Sequence, residues 1–408
     1  MKKILFICLI IALVPSIFFI FCVSPSVYWE DSGEFITTAH SLGIAHPPGH
    51  PLYVVLAHLF TIHRIPESVD YSVNLFSVFA SFFAIYAFSA LLSFLCRVYY
   101  RRTNNVIFFL SLFCITLLFA FSKTFWYISE FAEVYSLHIL LSIGIIGSLC
   151  LLHKKGGISI LLFAYLLGLS LTNNITITFL VPAFILFLVL EKRNIEKRYI
   201  LFAVLLFFLG ISLYLYIPVR ARFNPVFNWG NAYTMKNFIS LITAREFSGG
   251  FSSLKYAETS YIPFMLHMLK EISFWGIVPF FFGSYLLFKR KRNLFILFIG
   301  SIVCNITFSF LTGRGPDFHA YFLPSSMIAF LIIGFGILHM LSRAKKYLWL
   351  LVPFLFILSL VPLTMNYKAN CRRYDYDALG YGTALLKYLP ENAILLTENT
   401  NDYFILTF

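Results

Sequence analysis

Charge is scarce in this chain. Asp, Glu, Lys and Arg make up 12% of its 408 residues, about half the share of soluble domains. With 60% hydrophobic residues and a mean hydropathy of +0.83, an ordinary soluble globule is excluded and a polytopic membrane protein is expected. Eleven apolar runs are long enough to count as candidate spans: about 4–22, 71–96, 106–122, 134–152, 158–172, 175–190, 200–217, 273–288, 294–312, 320–341 and 347–364. None contains an Asp, Glu, Lys or Arg; their notable ionisable groups are His138 and His339, each near an end. Ion-coupled carriers bind the coupling ion with charge at membrane depth. That class is therefore disfavoured, and any chemistry belongs outside the bilayer. No small-x-small cleavage site follows the first run, so residues 4–22 read as a retained helix rather than a signal peptide, despite Lys2 and Lys3. Of seven cysteines, six (Cys8, Cys22, Cys96, Cys114, Cys150, Cys304) fall in or at the ends of runs, and Cys371 lies outside. No disulfide framework or paired metal motif is visible in their spacing, and they read most simply as membrane packing. The sequence also shows no internal repeat and no low-complexity linker.

The charge that is present is sorted by side. Alternate connections collect Lys2/Lys3, Arg97/Arg101/Arg102, Lys154/Lys155, Lys192/Arg193/Lys197/Arg198, Lys289 to Arg292 and Arg343/Lys345/Lys346. These are 18 of the 31 basic residues, accompanied by only Glu191 and Glu196. The positive-inside bias then places the N-terminus inside and the C-terminus outside. The net charge of +13 is accordingly a topology signal, not a nucleic-acid patch. Three outer segments exceed a turn: 23–70, 218–272 and the tail 365–408. Within the first, "PLYVVLAHLFTI" is too short to span, so an interfacial or re-entrant helix is expected. In the second, Phe238, Leu241 and Ile242 oppose Lys236 and Asn237 at helical spacing, which predicts an amphipathic surface helix. The tail, in "YDALGYGTALLKYLPENAILLTEN", predicts a helix and then a strand, a small α/β-like unit.

The outer segments hold the chemistry. In "YWEDSGEFITTAHSLGIAHPPGHPLY", Asp31 and Glu34 are three apart and share a face if helical. A partly desolvated carboxyl suits a general base acting on an acceptor hydroxyl. The plainer alternative is that Glu30, Asp31 and Glu34 hold this loop outside, with Asp31 or Ser32 capping the helix. "HPPGHPLY" breaks any helix, so His46 and His50 read either as polar edges of a stiff turn or, for His46, as a substrate contact. A metal there would need a third ligand that the sequence does not single out. "TFWYISEFAEVYSLH" brings Glu130 and Glu133, with Trp126 and Tyr127 as interfacial aromatics or a platform under a sugar ring. Outer cations follow: Arg220 and Arg222, Arg245, Arg314, and Arg372/Arg373. Guanidinium groups bind phosphate oxygens in pairs, although lipid headgroups attract them too. Carboxylates and arginines meeting at one leaflet suit transfer of a sugar from a polyprenyl phosphate.

The order of "YWEDSGEFITTAHSLGIAHPPGHPLY", "SEFAEVYSLH", "GLSLTNN", "YLYIPVRARFNPVFNWGN…TMKNFISLITAREF", "HAYFLPS" and "RRYDYDALGYG…LPENAILLTENTNDYF" resembles the membrane domain-of-unknown-function family that includes animal transmembrane protein 260. That family is grouped with GT-C type glycosyltransferases, relatives of the protein O-mannosyltransferases. The resemblance implies a multi-helix GT-C fold, a lipid-phosphate-linked sugar donor, and a catalytic aspartate in the first outer loop. By motif that aspartate is Asp31, with Glu34 beside it. The acid of "AEVYSLH" is Glu133, and the arginine of "PVRARFNP" is Arg220, with Arg222 in competition. His319 and Tyr321 fall in "HAYFLP", one residue further apart than is usual in the family.

The expectation is therefore an all-α polytopic GT-C protein of about eleven transmembrane helices, with residues 1–364 as the transferase domain and 365–408 as a short outer segment. It would be an inverting transferase of a plasma (inner) membrane, bacterial by its compact basic start, with its site on the outer, periplasmic face. It would move a sugar, mannose first, from a polyprenyl-phosphate donor to a protein or glycan hydroxyl. Asp31 and Glu34 are the catalytic candidates; Glu133, His46, Arg220, Arg222, Arg314, His319 and Tyr321 are the substrate-binding ones. Metal ligands are not assigned and a divalent cation stays open. Partners are the lipid donor, the acceptor and membrane lipid, with no nucleic acid. A flippase or export component for lipid-linked sugars is the alternative. Because the sequence stops just after "NDYF", acceptor recognition is expected to be missing or supplied by another protein.

Overall fold

A computed structural model describes residues 2–63, 68–99, 105–191, 195–246, 266–312, 316–390, 392–397 and 400–408. The chain is a helical bundle. It opens with α1 (Lys2–Cys22), α2 (Ser32–Ser41), α3 (Pro51–His63), α4 (Val69–Tyr99), α5 (Asn105–Ala120), α6 (Lys123–Tyr127), α7 (Tyr135–Cys150), α8 (Leu152–Lys155) and α9 (Gly157–Asn173). It continues with α10 (Val181–Glu191), α11 (Lys197–Ile211), α12 (Tyr216–Arg222), α13 (Met235–Ile242), α14 (Leu266–Ile272), α15 (Ile277–Arg290), α16 (Arg292–Thr312) and α17 (Leu323–Arg343). It closes with α18 (Leu348–Asn370), α19 (Asp377–Tyr388) and α20 (Thr400–Thr407).

All eleven apolar runs fall on helices. Six helical stretches among the described residues are long and apolar enough to cross a bilayer alone: Lys2–Cys22, Val69–Arg97, Lys197–Arg222, Arg292–Leu311, His319–Arg343 and Leu348–Asn370. The runs at 106–122, 134–152, 158–172 and 175–190 are shorter helices, and α14 with the stretch through α15 bends by 78° across a break. A helix needs about 20 residues only where lipid flanks it along its whole length, and a helix sheathed by protein can be shorter. The stretch His319–Arg343 is the hub, 94% buried in its apolar window, whereas Leu348–Asn370 is 17% buried and Lys197–Arg222 22%. An apolar helix that packs little of its surface on protein turns that surface to lipid. The chain is thus a multi-pass membrane protein.

Small residues fix one helix pair with unusual closeness. A Cβ on Gly168 of α9 would collide with the Phe207 carbonyl oxygen, and one on Gly210 of α11 would sit 2.7 Å from the Tyr165 carbonyl oxygen. The two backbones therefore touch, in the manner of small-residue membrane crossings.

Two expectations for the outer segments come out differently. The amphipathic segment is α13, with Leu241 buried and Phe238 and Ile242 packed beside it around Ile44, Tyr214 and Ile217. The tail, by contrast, holds no strand among the described residues. After α19, residues 393–397 are irregular and the chain re-enters a helix, α20. A strand needs a partner edge, and none is on offer among the described residues; α20 instead finds an apolar seat against α2, with Phe404 and Ile405 buried. Among the described residues the tail is helical, not α/β-like.

Candidate active site

The site begins at a reversal of the backbone. Glu30 adopts φ 65°, the left-handed region that side chains other than glycine seldom occupy. Asp31 then takes the N-cap position of α2, yet its carboxylate caps no amide. The Ser32 hydroxyl is occupied too, accepting the Tyr28 N–H at 3.2 Å. Capping therefore does not explain either residue. Glu30 faces elsewhere and accepts the Tyr127 hydroxyl at 2.9 Å.

One turn into α2, Glu34 is fully buried. The stiff turn after α2 folds back over it, and His46 engages both of its oxygens. The His46 N–H donates to Oε1 at 2.5 Å, and the ring Nδ1 donates to Oε2 at 2.5 Å. With Nδ1 committed, Nε2 is left facing Asp31, 3.8 Å from its Oδ2. Asp31, Glu34 and His46 thus form one constellation. Asp31 is its exposed edge, with a side chain 21% accessible. Burial pushes the Asp31 carboxyl up to about 6; His46 pulls it down, while Glu34 and Glu30 push it further up.

Behind His46 lies His50, its ring centroid 4.9 Å away. His50 is buried and its Nδ1 donates to the Asn173 carbonyl at 2.5 Å, which ties the "GLSLTNN" segment to this turn. Burial, reinforced by His46, drives the His50 pKa down to about 3, so it is neutral near pH 7.

The second outer segment holds α2 from its other end. Arg220 donates through Nε to the Leu42 carbonyl at 2.8 Å and through Nη2 to the Ser41 carbonyl at 3.0 Å. A cation on the last carbonyls of a helix satisfies orphan acceptors and opposes the dipole. Ile44 donates to the Phe227 carbonyl and accepts from Trp229, a short parallel bridge between the two segments. The tail supplies a wall: Phe404 stacks on the His46 ring at 6.4 Å, and its carbonyl oxygen occupies the space that a Cβ on Gly33 would need. Gly33 in "EDSGE" is thus required by the close approach of α20.

The other sequence candidates are distributed around this centre. Glu133 is buried at the head of α7, its Oε1 accepting the Val134 N–H at 3.1 Å, with its charge felt by Tyr53. Arg222 is exposed at the end of α12. Arg314 lies outside the described residues. His319 stacks on His267 at 4.2 Å, within electrostatic reach of Lys123 and Glu30. Tyr321 is partly buried, its carbonyl oxygen accepting Asn305 Nδ2 at 3.1 Å. Trp126 is neither an interfacial aromatic nor a sugar platform: it is fully buried, stacks on Phe19 and donates Nε1 to Glu130 at 2.6 Å. Burial holds the Glu130 carboxyl well above the usual range.

Sequence reasoning missed a second buried cluster. Glu271 of α14 accepts the Thr124 N–H at 2.6 Å and pairs with His267 at 3.6 Å. The His-x-x-x-Glu spacing in "HMLKE" was the available signal. Phe404 gave none, since nothing in the tail's sequence says which surface it covers.

Asp31, Glu34 and His46 form the one group of three or more His, Cys, Asp or Glu ligands among the described residues able to surround a metal, with one atom from each within 4.8 Å of the others. The fit is poor as the atoms stand. Both Glu34 oxygens and His46 Nδ1 are already bonded to one another, so a cation there would have to compete with those hydrogen bonds.

Comparison with known proteins gives this geometry a context. Residues 31–198 match the family model described as the Protein O-mannosyl-transferase TMEM260 N-terminal domain. Protein O-mannosyl-transferase TMEM260 of Mus musculus is 27% identical over 408 residues, covering 90% of this chain and 55% of the mouse protein. The Dictyostelium discoideum protein of the same name is 24% identical over 435 residues, covering 91% of this chain and 51% of its own length. The chain therefore spans about half the length of the curated relatives it matches. The crystal structure of ArnT from Cupriavidus metallidurans bound to undecaprenyl phosphate superposes with a TM-score of 0.63 at 9% identity, over 98% of this chain and 84% of ArnT. At that identity the likeness shows the fold, and the fold is the GT-C type expected from the motifs. Over residues 31–198 the chain is thus similar to the TMEM260 N-terminal domain, and as a whole it shares the fold of ArnT.

Proposed function

We propose that the chain is a membrane glycosyltransferase that moves a sugar, mannose first, from a polyprenyl-phosphate donor to an acceptor hydroxyl, with inversion and with Asp31 as general base. The relatives' name, Protein O-mannosyl-transferase, supports the sugar and a protein acceptor. ArnT, bound to undecaprenyl phosphate, supports a lipid-linked donor. The observation that carries the reading is the state of Asp31: an accessible carboxylate with a pKa of about 6, which caps nothing and is backed by the His46–Glu34 pair. A base so poised is mostly ionised at neutral pH and still basic enough to take a hydroxyl proton in the transition state.

The acceptor oxygen attacks the anomeric carbon as its proton passes to Asp31. The bond from that carbon to the phosphate oxygen breaks on the opposite face, and polyprenyl phosphate leaves as a stable anion without a general acid. Glu34 acts as a positioning residue by fixing His46 with Nε2 toward Asp31. Arg222 and Arg314 take the donor phosphate, and Arg220 holds the end of α2. Glu133, His319 and Tyr321 border the donor side, and the site lies on the outer face of a plasma membrane.

The test is transfer of labelled mannose from polyprenyl-phosphate mannose in membranes, wild type against Asp31→Asn. Donor should be consumed by wild type and spared by the variant. Equal transfer by both would refute the base assignment; no consumption by wild type would favour the flippase or export reading.

A further inference from the structure

The last residue of α1 and the first residue after α18 bring two cysteines together from opposite ends of the sequence. Cys22 is buried and Cys371 is partly exposed. The Arg372 N–H donates to the Cys22 carbonyl at 2.7 Å, which lays the two backbones side by side. The two thiols are themselves hydrogen-bond partners. The contact is held in register by the guanidinium of Arg373, 4.2 Å from the Phe21 ring centroid, and by that of Arg372, 4.6 Å from that of Tyr28.

We propose that Cys22 and Cys371 are a thiol pair that closes to a disulfide, joining the end of α1 to the segment that begins at residue 371. In the orientation given by the charge bias both thiols lie on the outer side, where disulfides persist. Exposure sets the order of events. The Cys371 thiolate attacks a small external disulfide and expels one thiol; the Cys22 thiolate then attacks the Cys371 sulfur of the mixed disulfide and expels the second. Two protein thiols and one external disulfide thereby give one protein disulfide and two small thiols, with no electron unaccounted for. The remaining five cysteines are spread over five helices of the bundle: Cys8, Cys96, Cys114, Cys150 and Cys304 lie in α1, α4, α5, α7 and α16.

The staple has a defined reach. Residue 371 starts the path that leads through α19 to α20, and α20 is the wall of the candidate active site through Phe404. Closing the disulfide ties the start of that path, already fixed at the end of α18, to the end of α1 as well. None of this depends on the glycosyltransferase reading.

The experiment is thiol counting on the full chain in opened membranes. The protein is incubated with glutathione disulfide, quenched, denatured, and reacted with maleimide-polyethylene glycol, which adds one gel step per free thiol. Wild type has seven cysteines and should show five adducts after oxidation and seven after dithiothreitol. Peptide mass spectrometry of the unreduced sample should show the Cys22 and Cys371 peptides joined with loss of two hydrogens. Cys22→Ser and Cys371→Ser should yield no joined peptide. Seven adducts in oxidised wild type would overturn the proposal. So would glutathione carried on Cys371 or Cys22 without the joined peptide, or a further loss of two thiols in Cys371→Ser, which would assign the pair elsewhere.

Discussion

Replacing Asp31 with asparagine should do two opposite things: abolish transfer and stabilise the fold. The second effect follows from the pKa. Burial and the neighbouring Glu34 and Glu30 raise the Asp31 carboxyl from an ordinary value near 4 to about 6. The folded state therefore holds that proton longer than the unfolded chain does. Below pH 4 both states carry it and the aspartate costs nothing. Between pH 4 and 6 the unfolded state ionises first, so stability falls as pH rises; above pH 6 the loss is constant. A displacement of this size corresponds to roughly 3 kcal/mol. Because a fifth of the side chain is open to water, screening brings the expected effect to about 1–3 kcal/mol. An asparagine side chain has the same shape and no charge, so the variant should unfold at higher temperature than wild type at pH 8 and at about the same temperature at pH 4. The assay is thermal unfolding of the detergent-solubilised protein across that pH range, with transfer measured in parallel. A variant that is less stable at pH 8, or one whose difference from wild type does not change with pH, would refute the placement of a desolvated carboxylate at the site edge.

Three further outcomes are expected. His46→Gln removes the group that pulls the Asp31 pKa down, so the acid limb of kcat/KM should move upward by about one pH unit, equivalent to roughly 1.4 kcal/mol; an unmoved limb means that His46 does not act through Asp31. Arg220→Met removes two bonds to α2 carbonyls and should cost about 1–3 kcal/mol of stability, whereas a pure rise in donor KM at unchanged stability would make Arg220 a phosphate ligand instead. Gly33→Ala places a methyl against the Phe404 carbonyl, so α20 should exchange its amide hydrogens faster, and unchanged protection there would contradict the seat of α20 on α2.

Much of the fold was legible because its signal is additive. A bilayer demands apolar length, and all eleven apolar runs sit on helices. Within the site, Asp31 and Glu34 were legible because their three-residue spacing is local. The reach of His46 was not: it meets Glu34 across twelve positions and depends on how a proline-rich turn folds back. Arg220 illustrates the same limit. Its charge suggested a phosphate, but its partners are the carbonyls that end a helix 178 positions earlier. The tail misled because "NAILLTEN" carries strand-like residues, and only tertiary packing decides whether such a stretch finds an edge. Glu130 and Trp126 looked like surface groups, and their burial as a hydrogen-bonded pair has no counterpart in sequence spacing.

The contact of α9 with α11 has a mechanical consequence. The helical stretch Lys197–Arg222 presents most of its length to lipid, is gripped near its middle by the backbone of α9, and carries Arg220, which holds α2, two residues before its end. Bilayers of different thickness tilt such a helix by fractions of a kcal/mol per Å of mismatch. With its middle fixed, the tilt is expressed at the ends, as in a lever about a pivot. A series of lipids of graded chain length is therefore a means of drawing Arg220, and with it the helix bearing Asp31, without altering a single residue.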